Sequence, residues 1–285
     1  MALWRCGGWA FDLARPRVMG ILNVTPDSFS DGGRFGSPQE AVEAGLAMFA
    51  EGADIVDVGG ESTRPGADPV APDEEAARVL PVVEELAGAG CVSIDTRNAA
   101  TARAALAAGA AVINDVSGFR DPAMIEVAAA SDCGVVVMHM LGEPKTMQAE
   151  EPHYDDVVVE VRDYLATQAA MLEEAGMVRD RIAIDPGIGF GKTVEHNLTL
   201  IRDVGEFAAT GYPVVLGASR KSFIGAVLGI EDPKQRVAGS LAVAAFAWLR
   251  GAHVLRVHDV RETVEVLRMV EALVGDSRAH LGRVP

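Results

Sequence analysis

Val18-Met19-Gly20-Ile21-Leu22-Asn23-Val24-Thr25-Pro26-Asp27-Ser28-Phe29-Ser30-Asp31-Gly32-Gly33 is a short apolar run that breaks abruptly into polar, turn-forming residues. The same break recurs along the whole chain. Ile55–Val58 opens into Gly60-Glu61-Ser62-Thr63-Arg64-Pro65-Gly66, Cys91–Ile94 stops at Asp95-Thr96-Arg97, and Ala111–Ile113 stops at Asn114-Asp115. Val135–Met138 reaches His139, and Ile182–Ile184 reaches Asp185-Pro186-Gly187. Val214–Leu216 leads to Ser219-Arg220-Lys221-Ser222, and His253–Val257 ends at His258-Asp259. Most of the intervening stretches read as helix. Strand and helix alternating eight times predict an α/β fold, a (β/α)8 TIM barrel, whose functional site is built from the loops after the strands.

Local signals agree with that alternation. The runs are short, β-branched and apolar on both faces, as strands are when one face fills a barrel and the other lies under helices. Ser37 with Pro38 and Glu40 reads as a capping box with proline at the first helical position, and Gly52 closes that helix. Asp121-Pro122 starts another helix, and Asn98–Ala108 is an alanine-rich helix stopped by Gly109. Across Asp155–Ala175, Val158, Val161, Leu165 and Leu172 recur at helical spacing before Gly176. Residues 3–17 carry Trp4, Trp9 and Phe11 and read as a short N-terminal hairpin capping the bottom of the barrel. No Ser/Gly/Pro-rich linker interrupts the pattern. A single domain over residues 1–285 is therefore expected, since such barrels need about 250 residues.

The formal net charge of -16 argues against nucleic acid or an anionic membrane as partner. A phosphorylated substrate must then be held by local cations. Cys6, Cys91 and Cys133 lack metal-ligand spacing and read as small apolar residues in a reducing cytosol. The longest apolar helical stretch, Leu241–Leu249, is too short to span a bilayer, and Arg5 is followed by glycines and aromatics rather than a signal-peptide core. A cytoplasmic location is expected.

Taken singly, the loops are ambiguous. Asp185-Pro186-Gly187 could be turn chemistry, and Gly187, Gly189 and Gly191 are weak evidence for a phosphate cradle. Their joint placement says more, because a fold does not need Asp95, Asn114, Asp185, Lys221, Arg256 and His258 all at one end.

Together these loops resemble the dihydropteroate synthase family from Gly20 onward. Two family signatures are complete: Ile21–Gly33, Ile-Leu-Asn-Val-Thr-Pro-Asp-Ser-Phe-Ser-Asp-Gly-Gly, and Gly59–Gly66, Gly-Gly-Glu-Ser-Thr-Arg-Pro-Gly. Ser93–Thr96, Asn114–Gly118, Asp185–Lys192, Ser219–Ser222 and Arg256–Asp259 follow in family order. The resemblance implies a pterin-binding barrel in which 4-aminobenzoate displaces diphosphate from 6-hydroxymethyl-7,8-dihydropterin diphosphate.

The resemblance also implies site roles. Asp95, Asp185 and Lys221 would be catalytic; they and Thr63, Asn114, Arg256 and His258 would bind the pterin diphosphate. A pterin's ring N–H and 2-amino group are adjacent donors that a carboxylate such as Asp185 matches. Arg256 and His258, at the end of the last strand, would face the diphosphate. Phe29, Thr63, Arg64, Pro65, Phe190, Lys221 and Ser222 would hold 4-aminobenzoate, its carboxylate at a helix beginning near Arg220. Mg2+ would bind through the Asn23 side-chain oxygen together with diphosphate. A homodimer is implied; the apolar helices over 236–249 and 262–273 are compatible with its interface and equally with outer-ring packing.

Other residues carry plainer expectations. His139 reads as a satisfied rim histidine, His153 and His196 as solvated, and Glu74 and Glu75 as first-turn helix charges. Lys192 has no assigned task. A rival reading is a methyltetrahydrofolate-binding domain of a corrinoid methyltransferase. That domain would keep counterparts of Asp95, Asn114 and Asp185 but would not need the Asn23–Gly33 loop or Arg64.

Overall fold

A computed structural model of the chain describes residues 3–24, 37–61, 70–142 and 152–275. Its centre is a sheet of eight parallel strands: β3 (Arg17–Asn23), β4 (Ile55–Gly59), β5 (Cys91–Asp95), β6 (Val112–Asp115), β7 (Gly134–Met138), β8 (Ile182–Asp185), β9 (Val215–Leu216) and β10 (Val254–Val257). Their order is β8-β7-β6-β5-β4-β3-β10-β9. An isolated parallel bridge from Ile184 to Val214 joins the two ends and closes the barrel. The expected (β/α)8 architecture is present, with every strand within a residue or so of its apolar run.

Helices surround the strands: α1 (Pro38–Glu51), α2 (Pro72–Ala87), α3 (Ala99–Ala107), α4 (Pro122–Ala129), α5 (Val157–Glu174), α6 (Val194–Arg202), α7 (Val204–Ala208), α8 (Ser222–Leu228), α9 (Val237–Arg250) and α10 (Val260–Val274). Their ends follow the capping chemistry of the sequence. Ser37 accepts a hydrogen bond from the Glu40 N–H, and Gly52 closes α1 in the left-handed region. The Asp121 and Asp156 side chains cap α4 and α5 in the same way. The helix after Ser219 begins near Arg220 as expected, at Ser222, since Arg220 itself has φ +59 and cannot begin a helical turn. One expectation is corrected. His196 is not simply solvated: its ring accepts from the Thr193 N–H while the Thr193 hydroxyl accepts from the His196 N–H, a reciprocal cap on α6.

The N-terminal hairpin is β1 (Leu3–Cys6) paired antiparallel with β2 (Trp9–Asp12). Trp4, Cys6, Phe11 and Leu13 form one buried cluster with Met19, Ile55, Cys91, Val112, Val136, Ala183, Val215 and Val254. Those eight partners lie toward the starts of the eight barrel strands, so the hairpin plugs the end opposite the functional loops. Trp4 Nε1 donates to the Arg181 carbonyl at 3.1 Å, which settles the one polar atom of a fully buried ring.

The same cluster fixes which residues point inward. Side chains alternate faces along a strand. Ile55, Cys91, Val112, Ala183 and Val254 face the barrel interior, while Val56, Val92, Ile113, Ile184 and Leu255 pack under the helices. Counting two residues at a time toward the strand ends brings Asp57, Ser93 and Asp95, Asn114, Asp185 and Arg256 inside.

Candidate active site

The inward polar residues meet at the mouth of the barrel. Arg256 on β10 lies between two carboxylates: its Nε pairs with Asp57 Oδ2 at 2.6 Å and its Nη2 with Asp95 Oδ2 at 2.5 Å. Asn114 Nδ2 donates to the same Asp57 oxygen at 3.0 Å. That bond orients the amide so that its oxygen is the atom left for a ligand. Asp95 and Asn114 are register partners on adjacent strands.

Burial sets the electrostatics. Asp57, Asp95, Asn114 and Asp185 are all buried. Desolvation pushes the Asp95 carboxyl up to about 7, Arg256 opposes the rise, and Asp57, Glu75 and Asp115 add to it. Asp185 is also raised by burial, against the Gly187 N–H, Lys221 and Arg256. Burial draws Lys221 down to about 7, with Asp185 and Asp95 resisting and Arg256 assisting. Arg256 keeps its charge despite burial, because Asp57, Asp95 and Asp185 surround it. The Oδ1 atoms of Asp57 and Asp95 and the Ser93 hydroxyl are buried with no hydrogen-bond partner. An unpaired buried acceptor costs about 1–3 kcal/mol, so this mouth favours a ligand edge rich in N–H donors.

The two oxygens of Asp185 are placed differently. Its Oδ1 accepts from the Gly187 N–H at 2.7 Å, the turn contact that the plainer reading proposed. A carboxylate oxygen has a further lone pair, and Oδ2 is uncommitted by that bond. The following glycine loop is stitched by two lysines. Lys221 Nζ donates to the Ile188 carbonyl and lies 4.3 Å from the centroid of the Phe190 ring. Lys192 Nζ donates to the Phe190 carbonyl at 3.1 Å and lies 3.0 Å from His139 Nδ1.

The remaining expected residues fall in four places. His258 sits beside the cluster, its Nδ1 3.1 Å from the Ser219 hydroxyl, which also accepts from the His258 N–H. Asn23 ends β3 and pairs in register with Gly59, two residues past Asp57. Ser222 is exposed as the first residue of the short α8. Phe29, Thr63, Arg64 and Pro65 lie outside the described residues.

The sequence matches the family described as pterin binding enzyme over residues 19–258. Dihydropteroate synthase of Escherichia coli strain K12 is 49% identical over 267 residues, 93% of this chain and 94% of that protein. The chain belongs to the dihydropteroate synthase family of pterin-binding enzymes. Solved structures agree. The Xanthomonas albilineans dihydropteroate synthase with 4-aminobenzoic acid superposes with a TM-score of 0.90 at 47% identity, covering 96% of this chain and 98% of that one. The Burkholderia cenocepacia dihydropteroate synthase complexed with 7,8-dihydropteroate gives 0.89 at 47% identity, covering 98% and 99%.

Three residues of this dihydropteroate synthase fold escaped the sequence reading. Asp57 interrupts an apolar strand, and counting by twos from Ile55 would have found it. Lys192 and His139 are buried together, so His139 is satisfied as expected, and Lys192, which had no assigned task, is its partner. Glu75 is a first-turn acid of α2 as expected, but its burial, at 1% exposed, was not foreseen. Glu74 does behave as expected, pairing with Arg78 on the outside of α2.

Proposed function

We propose that this protein, a transferase, condenses 6-hydroxymethyl-7,8-dihydropterin diphosphate with 4-aminobenzoate to give 7,8-dihydropteroate and diphosphate in folate biosynthesis. The observation that carries this reading at the site is the buried acceptor set, Asp57 and Asp95 Oδ1 with the Asp185 carboxylate, beside a half-buried Arg256. A pterin edge of adjacent N–H donors pairs with those oxygens. A ligand without them leaves the oxygens unpaired, which makes the filter stringent.

Asp95, Asn114 and Asp185 hold the pterin, with Lys221 donating to its ring oxygen or nitrogen. Thr63 completes that contact set. Arg256, through the guanidinium N–H groups not used by Asp57 and Asp95, and His258 take the diphosphate. Phe190, whose ring already packs on Lys221, Ser222 and the sequence-assigned Phe29, Thr63, Arg64 and Pro65 take 4-aminobenzoate.

The arylamine is neutral at pH 7, so its lone pair attacks without a strong general base. The new C–N bond forms at the methylene carbon as the C–O bond breaks, its electron pair leaving on diphosphate and the amine proton passing to solvent. Asp95 and Asp185 stabilise positive charge developing at the methylene, and catalysis is chiefly positioning and preorganised electrostatics.

Among the described residues no three His, Cys, Asp or Glu side chains cluster to cage a metal. Asn23 offers one neutral, hard oxygen, which fits Mg2+ held mainly by diphosphate and water. Asn23 would hold that Mg2+, which would neutralise charge on the departing diphosphate.

The reading extends to a single pterin-binding domain over 1–285, a homodimer and a cytoplasmic location. Exposed Phe246 on α9 and Met269 and Leu273 on α10 support an interface there. Three buried free cysteines support a reducing compartment. No helix among the described residues is long and apolar enough to cross a membrane. The deciding assay is diphosphate release that requires dihydropterin diphosphate, 4-aminobenzoate and Mg2+ together. Release at an undiminished rate without 4-aminobenzoate overturns the function, and a monomeric mass by light scattering overturns the dimer.

A further inference from the structure

We propose that Glu75 is the positioning residue for Asp95, clamping the turn after β5 so that Asp95 keeps its aim into the barrel mouth. The proposal rests on the pterin role given to Asp95. Glu75 belongs to the first turns of α2, yet its carboxylate turns inward, and a single oxygen, Oε2, accepts three hydrogen bonds. The donors are Thr96 Oγ1 at 2.9 Å, Asn98 Nδ2 at 2.8 Å and Thr101 Oγ1 at 2.7 Å. All three lie on the segment that carries the chain from Asp95 into α3.

The segment is also braced from its other sides. The Asn98 N–H donates to Thr96 Oγ1 at 3.1 Å, and the Thr96 N–H donates to the Asn114 carbonyl at 3.1 Å. Arg97 pairs with Glu61 at 2.9 Å, and Glu61 Oε2 accepts from the Val70 N–H at 3.0 Å. Glu61 therefore ties the β5 turn to both flanks of residues 62–69. Gly60 lets α2 come this close: a Cβ there would lie 3.0 Å from Glu75 Cγ and 2.8 Å from Val79. Glu61, Glu75, Asp95, Thr96, Arg97 and Val116 line one small cleft.

A solvated glutamate at a helix start already gains from the helix dipole, as Glu74 does without burial. Burying Glu75 adds a desolvation cost that only its three donors offset. What those donors hold still is the backbone that aims Asp95, whose Oδ1 is buried and unpartnered. The charged groups facing Asp95 are Arg256 from β10, Asp57 from β4, Asp115 from β6, Glu75 from α2 and Lys221 ahead of α8. Glu75 is one of the acids raising it, after burial and Asp57, so neutralising Glu75 lowers the pH at which Asp95 ionises.

The test measures calorimetric binding of 6-hydroxymethylpterin across pH, with thermal melting, for the parent, Glu75→Ala, Glu75→Gln and Thr101→Val. Folded Glu75→Ala should lose roughly tenfold in pterin affinity, and Thr101→Val should lose less. Glutamine keeps an acceptor oxygen, so Glu75→Gln should recover to within about threefold while the acid midpoint of binding moves down. That midpoint is the readout a merely structural role would leave in place. Parent-like affinity in folded Glu75→Ala, or an unmoved midpoint in Glu75→Gln, overturns the clamp. If Glu75→Ala does not fold, the Glu75→Gln midpoint alone decides. A parent that binds no pterin overturns the role of Asp95 itself, which separates failure of the functional reading from failure of the clamp.

Discussion

Lys192 Nζ lies 3.0 Å from His139 Nδ1, and both side chains are buried at the mouth of the barrel. Burial and the Lys192 charge hold His139 down at about 3 from an ordinary 6.5. Burial, with Lys221, holds Lys192 at about 7 from 10.5. A depressed His139 binds fewer protons folded than unfolded. Its contribution to stability is therefore full above pH 6.5 and lost as pH falls toward 3. Lys192→Met removes the neighbouring charge, so the His139 midpoint should rise and the loss of stability between those pH values should flatten. Ring-proton NMR titration and urea melts across pH check both. An unchanged His139 midpoint means that the pair is not electrostatically coupled.

Asp185→Asn should preserve the barrel, because an amide oxygen can still accept from the Gly187 N–H as Oδ1 does at 2.7 Å. The substitution puts an N–H where a pterin edge already offers donors, and it removes charge facing the methylene. One unmatched buried group costs about 1–3 kcal/mol. With the lost electrostatic stabilisation, kcat/KM should fall roughly a hundredfold or more. Asp180→Asn weakens a half-exposed pair with Arg5 and should cost about 0–1 kcal/mol of stability. Near-normal turnover in a folded Asp185→Asn would leave Asp185 as a turn residue alone.

Arg256 and His258 should separate under mutation. His258→Ala is expected to weaken pterin-diphosphate binding by about 1.5–3 kcal/mol and spare a bare pterin. Arg256→Ala should harm both, because the guanidinium is paired with Asp57 and Asp95 on the pterin side of the site. Removing one member of a buried ion pair costs about 3–5 kcal/mol. Asp95 should also move above about 7 once the opposing charge is gone. Competitive binding of pterin and pterin diphosphate measures the split, and equal losses in the two variants would contradict it.

Gly187→Ala should be severe. Gly187 has φ +68, and a Cβ there would lie 1.9 Å from the His139 carbonyl oxygen. Backbone, not a flexible side chain, would have to move, and the Asp185 turn would move with it. A loss of about 2–4 kcal/mol is expected. Gly8→Ala meets nothing within 4 Å and should change stability by less than about 0.5 kcal/mol. Thermal melts of the two variants check the contrast.

By itself the sequence determined the alternation of elements, the helix starts at Pro38 and Pro122, and the polar strand ends, because periodicity and capping act over a few residues. It also carried an unused signal. Alternation by twos from Ile55, Cys91 and Val254 aims Asp57, Asp95 and Arg256 into the barrel. Only the tertiary structure decided the partners of the buried charges. Asp57 and Arg256 are 199 positions apart and meet because β3 separates β4 from β10 in the closed sheet. Glu75 and Glu74 look alike as first-turn acids, yet α2 packing turns one inward to three donors and leaves the other with Arg78. Lys192 finds His139 only when the β8 loop folds over the end of β7. A buried charge must be matched by whatever the fold brings within about 3 Å, and no local pattern in the chain records that neighbour.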